Sequence, residues 1–182
     1  MKTFNPQDYG PRIAPLIDTD RCRPLDGGSG AAAGPSLGLD DLFDPAEIID
    51  RQGAKCCVAA VLLLSDALDA SHNWSQQVET PEGSFWHAIM HRRERDFSNA
   101  KYWFRRVGPH PIDGPLGEAA KQVAAQMGRE TPLAQGPWDA MAMVDACQRA
   151  SSGQAETDLL QALQQREWEL LFDYCYRLAV GR

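Results

Sequence analysis

The chain has 182 residues, 43% of them hydrophobic and 24% charged, which suffices for one buried core without a metal or disulfide framework. Its formal charge of −7 opposes general binding to nucleic-acid phosphates. The five cysteines, Cys22, Cys56, Cys57, Cys147 and Cys175, are odd in number and lack CxxC spacing, so they read as reduced thiols of an intracellular chain rather than a secreted disulfide scaffold.

Residues 1–44 form a Pro/Gly-rich arm, with the stretch GGSGAAAGPSLG from Gly27 to Gly38 and no sustained periodicity, and are expected to be extended or mobile. At Asp44-Pro45-Ala46-Glu47 the signals change: a capping aspartate, a proline at the first helical position and a capping-box acid predict a helix running to about Asp69. Between Cys56 and Leu64 that helix is apolar on every side, as expected of a central helix, yet the run is too short to span a bilayer. Met1 to Pro15 lacks the apolar segment of a signal peptide, so the expected location is the cytoplasm, with no membrane partner.

Thr80-Pro81 starts a second helix, Asp96 or Ser98 a third, and Gly108-Pro109 ends it. Gly114-Pro115 opens a fourth with Ala119, Ala120, Val123, Ala124 and Met127 on a stripe; Gly136-Pro137 opens a fifth. The last, from about Ala155 to Val180, carries Leu159, Leu163, Leu170, Tyr174 and Leu178 at helical intervals. No alternating run rich in Val, Ile or Thr appears. The expected architecture is all-α: one irregular bundle of about six helices over residues 45–182.

The segment from Ser84 to Pro111 holds three of the four histidines and reads as a helical hairpin. Ala88, Phe97, Ala100 and Phe104 stand at the small and aromatic spacing of a tetratricopeptide-type helix pair, with Pro111 near the motif's break. Small residues there let two antiparallel helices approach closely. No second copy recurs at a fixed period, so the hairpin belongs to a non-repeating bundle.

On ideal geometry His87, His91, Glu94 and Ser98 fall within one narrow arc of the first hairpin helix. Two imidazoles one turn apart reach one divalent cation, Glu94 adds an oxygen, and His72 is a third nitrogen donor with Asp69 as a supporting carboxylate. Ala88 stands where the zinc-protease helix carries glutamate, so that chemistry is not implied. The competing reading is that these histidines bond nearby carboxylates or backbone, and that His110, between prolines, is a turn residue.

From Arg92 to Arg106, six basic residues face two acidic ones, a local balance of +4 in an acidic chain. Such an island focuses a carboxylate or phosphate, while internal pairing with Glu94, Asp96, Glu167, Glu169 or Asp173 is the alternative. Arg93 falls within the aromatic arc, where a guanidinium must pair or stack.

Three segments, LDASHNWSQ at Leu68–Gln76, the hairpin at Ser84–Pro111 and REWELLFDYCYRLA at Arg166–Ala179, together resemble a group of uncharacterised bacterial and fungal all-helical proteins. The resemblance implies that the segments share one domain and converge, bringing His72 and its serine and glutamine neighbours to the hairpin; it implies no catalytic residue. The function expected from the whole reading is binding of a small polar or anionic ligand, or a partner segment, in a groove lined by Asp69, His72, Gln76, His87, His91, Arg93 and Glu94. The alternative is a hydrolase-like metal enzyme whose ligands are His87 and His91 with His72 or Glu94.

Overall fold

Side-chain caps set the starts of four α-helices. In the computed structural model, which describes residues 3–27, 36–153 and 157–182, there are nine α-helices and no strand among the described residues. They are α1 (Ala14–Ile17), α2 (Leu39–Phe43), α3 (Arg51–Leu64), α4 (Leu68–Ser75), α5 (Pro81–Arg93), α6 (Phe97–Val107), α7 (Asp113–Gln126), α8 (Ala140–Ser151) and α9 (Thr157–Val180). Thr80 caps α5 through the Gly83 amide, and Asp96 caps α6 through the Asn99 amide, where the sequence places both starts.

The single helix expected from Pro45 to Asp69 is instead two. Asp50, not Asp44, supplies the cap: its carboxylate accepts hydrogen bonds from the Gln52 and Gly53 amides at 2.7 and 3.1 Å, so α3 begins only at Arg51. Pro45 lies in the preceding connection, after a cis peptide bond. At the other end Asp66 takes a left-handed backbone (φ 59°), a conformation that aspartate tolerates better than most residues, and the Ala67 amide closes α3 onto the Leu62 carbonyl. Arg23 and Arg93 both pair with the Asp66 carboxylate, which holds the break in place. From Arg51 onward the body therefore has seven helices where about six were expected. Likewise α8 starts after Asp139, whose carboxylate accepts from the Ala142 amide, rather than at Gly136-Pro137.

Of the arm, residues 3–27 lie against the helical body. Tyr9, Ile13 and Ile17 are buried, the Tyr9 ring packs edge-on against Phe172 and Tyr176, and its hydroxyl donates to Asp173 at 3.0 Å. Arg21 bonds Glu169 at 3.0 Å. Residues 28–35, the glycine-rich part of the arm, lie outside the described residues.

Two helices form the interior. In α3, eleven of fourteen residues are buried, as its uniformly apolar run demands. Gly53 lets α9 approach: a β-carbon there would lie 2.9 Å from the Cys175 carbonyl oxygen. Two successive α3 carbonyls anchor the neighbours, Ala59 accepting from the Ser71 hydroxyl of α4 at 2.8 Å and Ala60 from the Trp168 indole of α9 at 3.0 Å. Ala88 of α5 and Ala100 of α6, the small hairpin residues, are fully buried.

The second interior helix is α5, eleven of whose thirteen residues are buried although it carries two histidines and two arginines near its C-terminus. Its charges are paired internally. Arg92, without exposed surface, meets the equally buried Glu167 of α9 at 2.5 and 3.2 Å, and its guanidinium also donates to the Gln164 side chain. Arg93 donates to the Leu63 carbonyl at 2.6 Å and pairs with Asp66.

Removing one member of a fully desolvated pair strands the other charge. In urea unfolding, Glu167→Ala is expected to destabilise the fold by about 3 to 5 kcal/mol, and adding Arg92→Met to Glu167→Leu to recover most of the loss. A single-substitution loss below about 1 kcal/mol would show that water reaches the pair.

Candidate functional site

Ser71 seats α4 on α3, and the next residue, His72, then projects toward α5. There it meets His87 and His91, one turn apart. Ring centroids are 4.5 Å apart for His72 and His87, 5.4 Å for His72 and His91, and 4.8 Å for His87 and His91. One nitrogen from each of the three rings falls within 4.8 Å of the other two. His87 and His91 are buried while His72 is half-buried, so the cluster lies just below the surface with its outer side at α4.

The hairpin supplies the rest. Antiparallel helices turning at Arg95 bring residues equidistant from it together, and two such pairs line the cluster: His91 with Asn99, and His87 with Trp103. The Asn99 side-chain amide lies 3.1 Å from His91 Nε2, and the Trp103 ring stacks on His87 at 4.0 Å. Glu94 Oε2 is 3.1 Å from His91 Nδ1. His91 thus has a partner at each ring nitrogen, whereas His87 Nδ1 is buried with no hydrogen-bond partner among the described residues. An orphaned buried imidazole nitrogen costs stability unless something supplies a contact.

Burial, reinforced by the neighbouring His72 and His91 rings, pushes the His87 pKa down to about 3. Burial also lowers that of His91, although Glu94 opposes the shift. Both rings are therefore neutral near pH 7, the state in which imidazole offers a lone pair to a metal.

The other expected site residues are not gathered here. Asp69 is exposed on α4, and Gln76, also exposed, donates to Asn73 instead. Arg93 faces away, onto the end of α3. His110 is buried between the Phe85 and Tyr174 rings, where its Nδ1 accepts from the Ile112 amide. Its ring also faces Glu82, a contact that draws the Glu82 carboxyl down to about 2.

Two members of the cluster escaped the sequence reading, Asn99 and Trp103. The usable signal was the hairpin itself: counting outward from its turn pairs each of them with a histidine. A separate groove of about 730 Å³ lies between the start of α8 and the α6–α7 connection, lined by Phe104, Leu133 and Trp138 among others, and none of the three clustered histidines lines it.

The chain matches no protein-family model, no curated protein and no solved structure.

The lowered His87 pKa has a definite sign for stability. Between its ordinary value of 6.5 and about 3 the unfolded chain binds a proton that the folded chain does not, so stability falls as pH drops through that window. Metal-free protein should lose up to about 1.4 kcal/mol per pH unit from this residue between pH 6 and 4. In chemical unfolding across that range His87→Phe is expected to show a flatter dependence, and an unchanged slope would place the titrating group elsewhere.

Proposed function

We propose that the chain is a metal-binding helical domain holding one divalent transition-metal ion, of the zinc type, between His72, His87 and His91. The carrying observation is the approach of three imidazole nitrogens from α4 and α5 to within 4.8 Å, with His87 Nδ1 buried and unpartnered. Tetrahedral zinc with bonds of about 2.0 to 2.1 Å needs its donors about 3.3 Å apart, so a small inward rotation of the rings completes the set. His72, half-buried on α4, has the most room to make it.

Glu94 then acts as an outer partner rather than a ligand. By accepting from Nδ1–H of His91 it fixes the tautomer that offers Nε2 to the ion, and the Asn99 amide withdraws from that nitrogen. A three-nitrogen set leaves a fourth position for water or an acidic ligand, the arrangement that serves hydrolytic chemistry in three-histidine sites. The earlier expectation of a small polar or anionic ligand is kept in this form, with the metal rather than Arg93 as the attracting charge. The tetratricopeptide-like reading of α5 and α6 stays part of the proposal, supported by the buried Ala88 and Ala100 at their contact.

A second reading, a neutral ring cluster that only closes the α4–α5–α6 junction, draws on the partners that His91 has at both nitrogens. Calorimetry with zinc on untagged protein separates the two. The metal reading expects one ion per chain, a higher melting temperature with zinc than with chelator, and loss of binding in His87→Ala with His91→Ala. Glu94→Gln should weaken zinc binding by roughly 10- to 100-fold, as losing an outer partner does. The junction reading expects no zinc response and a stability loss of roughly 1 to 3 kcal/mol in either histidine variant.

A further inference from the structure

Asn99, Trp103 and Arg106 are spaced by four and three residues along α6, so they share one face of it. The first two touch His91 and His87. Arg106 continues the line. Its Cζ lies 5.1 Å from the Trp103 ring centroid and 6.0 Å from that of Tyr102, and the guanidinium is exposed.

The basic island of the sequence sorts into used and unused cations. Arg92 is paired with Glu167, Arg93 with Asp66, Arg95 with Asp26 and Lys101 with Asp145. Arg105 and Arg106 have no carboxylate partner among the described residues; Arg105 lines the separate groove, while Arg106 has one side-chain hydrogen bond, to the Tyr102 hydroxyl at 3.5 Å. A guanidinium resting on an indole keeps its planar fork of N–H donors available to an anion. The Trp103 ring centroid, 4.0 Å from that of His87 and 5.1 Å from Arg106 Cζ, places Cζ no more than about 9 Å from the His87 ring centroid.

We propose that Arg106 and a metal held by the three histidines together bind a phosphoryl group, one oxygen on the metal and others on the guanidinium. The inference rests on the metal-site reading above. Metal–oxygen and N–H···O contacts of about 2.1 and 2.8 Å, with the phosphate itself between, call for roughly 6 to 7 Å from ion to Cζ, so the Arg106 side chain, whose side-chain hydrogen bond is the 3.5 Å contact to Tyr102, swings off Trp103 toward the cluster to meet the anion. A tetrahedral oxyanion presents oxygens in both directions at once; a carboxylate presents its two oxygens on one side. Tyr102, half-exposed beside the fork, offers flat apolar surface to whatever the phosphoryl group carries, which favours an aromatic phosphomonoester.

The test uses the full chain loaded with stoichiometric zinc, titrated calorimetrically with inorganic phosphate, phenyl phosphate and acetate. Both phosphates are expected to bind more tightly than acetate. Phenyl phosphate exceeding inorganic phosphate identifies a monoester site, and equal affinities identify a site for the free ion. Arg106→Ala should leave zinc affinity within about twofold and weaken phosphate binding at least tenfold, with Arg106→Lys intermediate because a point charge replaces the fork. Zinc binding without phosphate binding, equal binding of acetate, or an unaffected Arg106→Ala would overturn the phosphoryl inference and leave the metal site standing. Absence of zinc binding in the wild type would overturn both.

Discussion

The desolvation of α5 is the constraint from which the other features follow. A helix packed against α3, α4 and α6, and touched by α9 through Trp86–Cys175 and Arg92–Glu167, has no wet face on which to leave a charge, yet its last turn reads His91-Arg92-Arg93. Each polar group has to find its partner inside the protein. Arg92 takes Glu167 from α9, Arg93 takes Asp66 and the end of α3, and the imidazoles are left to one another, to Trp103 and to the Glu94 and Asn99 side chains. The two arginine pairs orient α5 about its axis, and that orientation turns His87 and His91 toward α4.

The same burial gives the cluster its chemical character. An imidazole kept from water prefers to be neutral, and neutral imidazoles repel a cation less and offer it lone pairs. Three of them drawn from two helices, with one nitrogen unsatisfied, form a concentration of donor atoms that packing alone does not require. Apolar side chains would have filled the α4–α5–α6 junction at lower cost.

Much of this was legible in the residues. Helical periodicity and the absence of alternating segments give the all-α class, Thr80-Pro81 and Asp96 mark real helix starts, and the arc of His87, His91 and Glu94 is present in space. The break at Asp66 was hidden because its cause is tertiary: two arginines, one from the arm and one from α5, hold an aspartate in a left-handed turn. Arg93 was misplaced for a related reason, since periodicity says which way a side chain leaves its helix but not which carboxylate waits there. Asp69 and Gln76 were grouped with His72 by proximity in sequence, while the short α4 sends only His72 inward.

The claim at the centre of this account is that His72, His87 and His91 act as one ligand set. X-ray absorption at the zinc edge on untagged, zinc-loaded protein reads that set directly. The account predicts a first shell of light atoms at about 2.0 to 2.1 Å with the outer-shell scattering of three imidazole rings. Fewer than three imidazoles, or a sulfur shell at about 2.3 Å from a thiol such as the exposed Cys22, would contradict it.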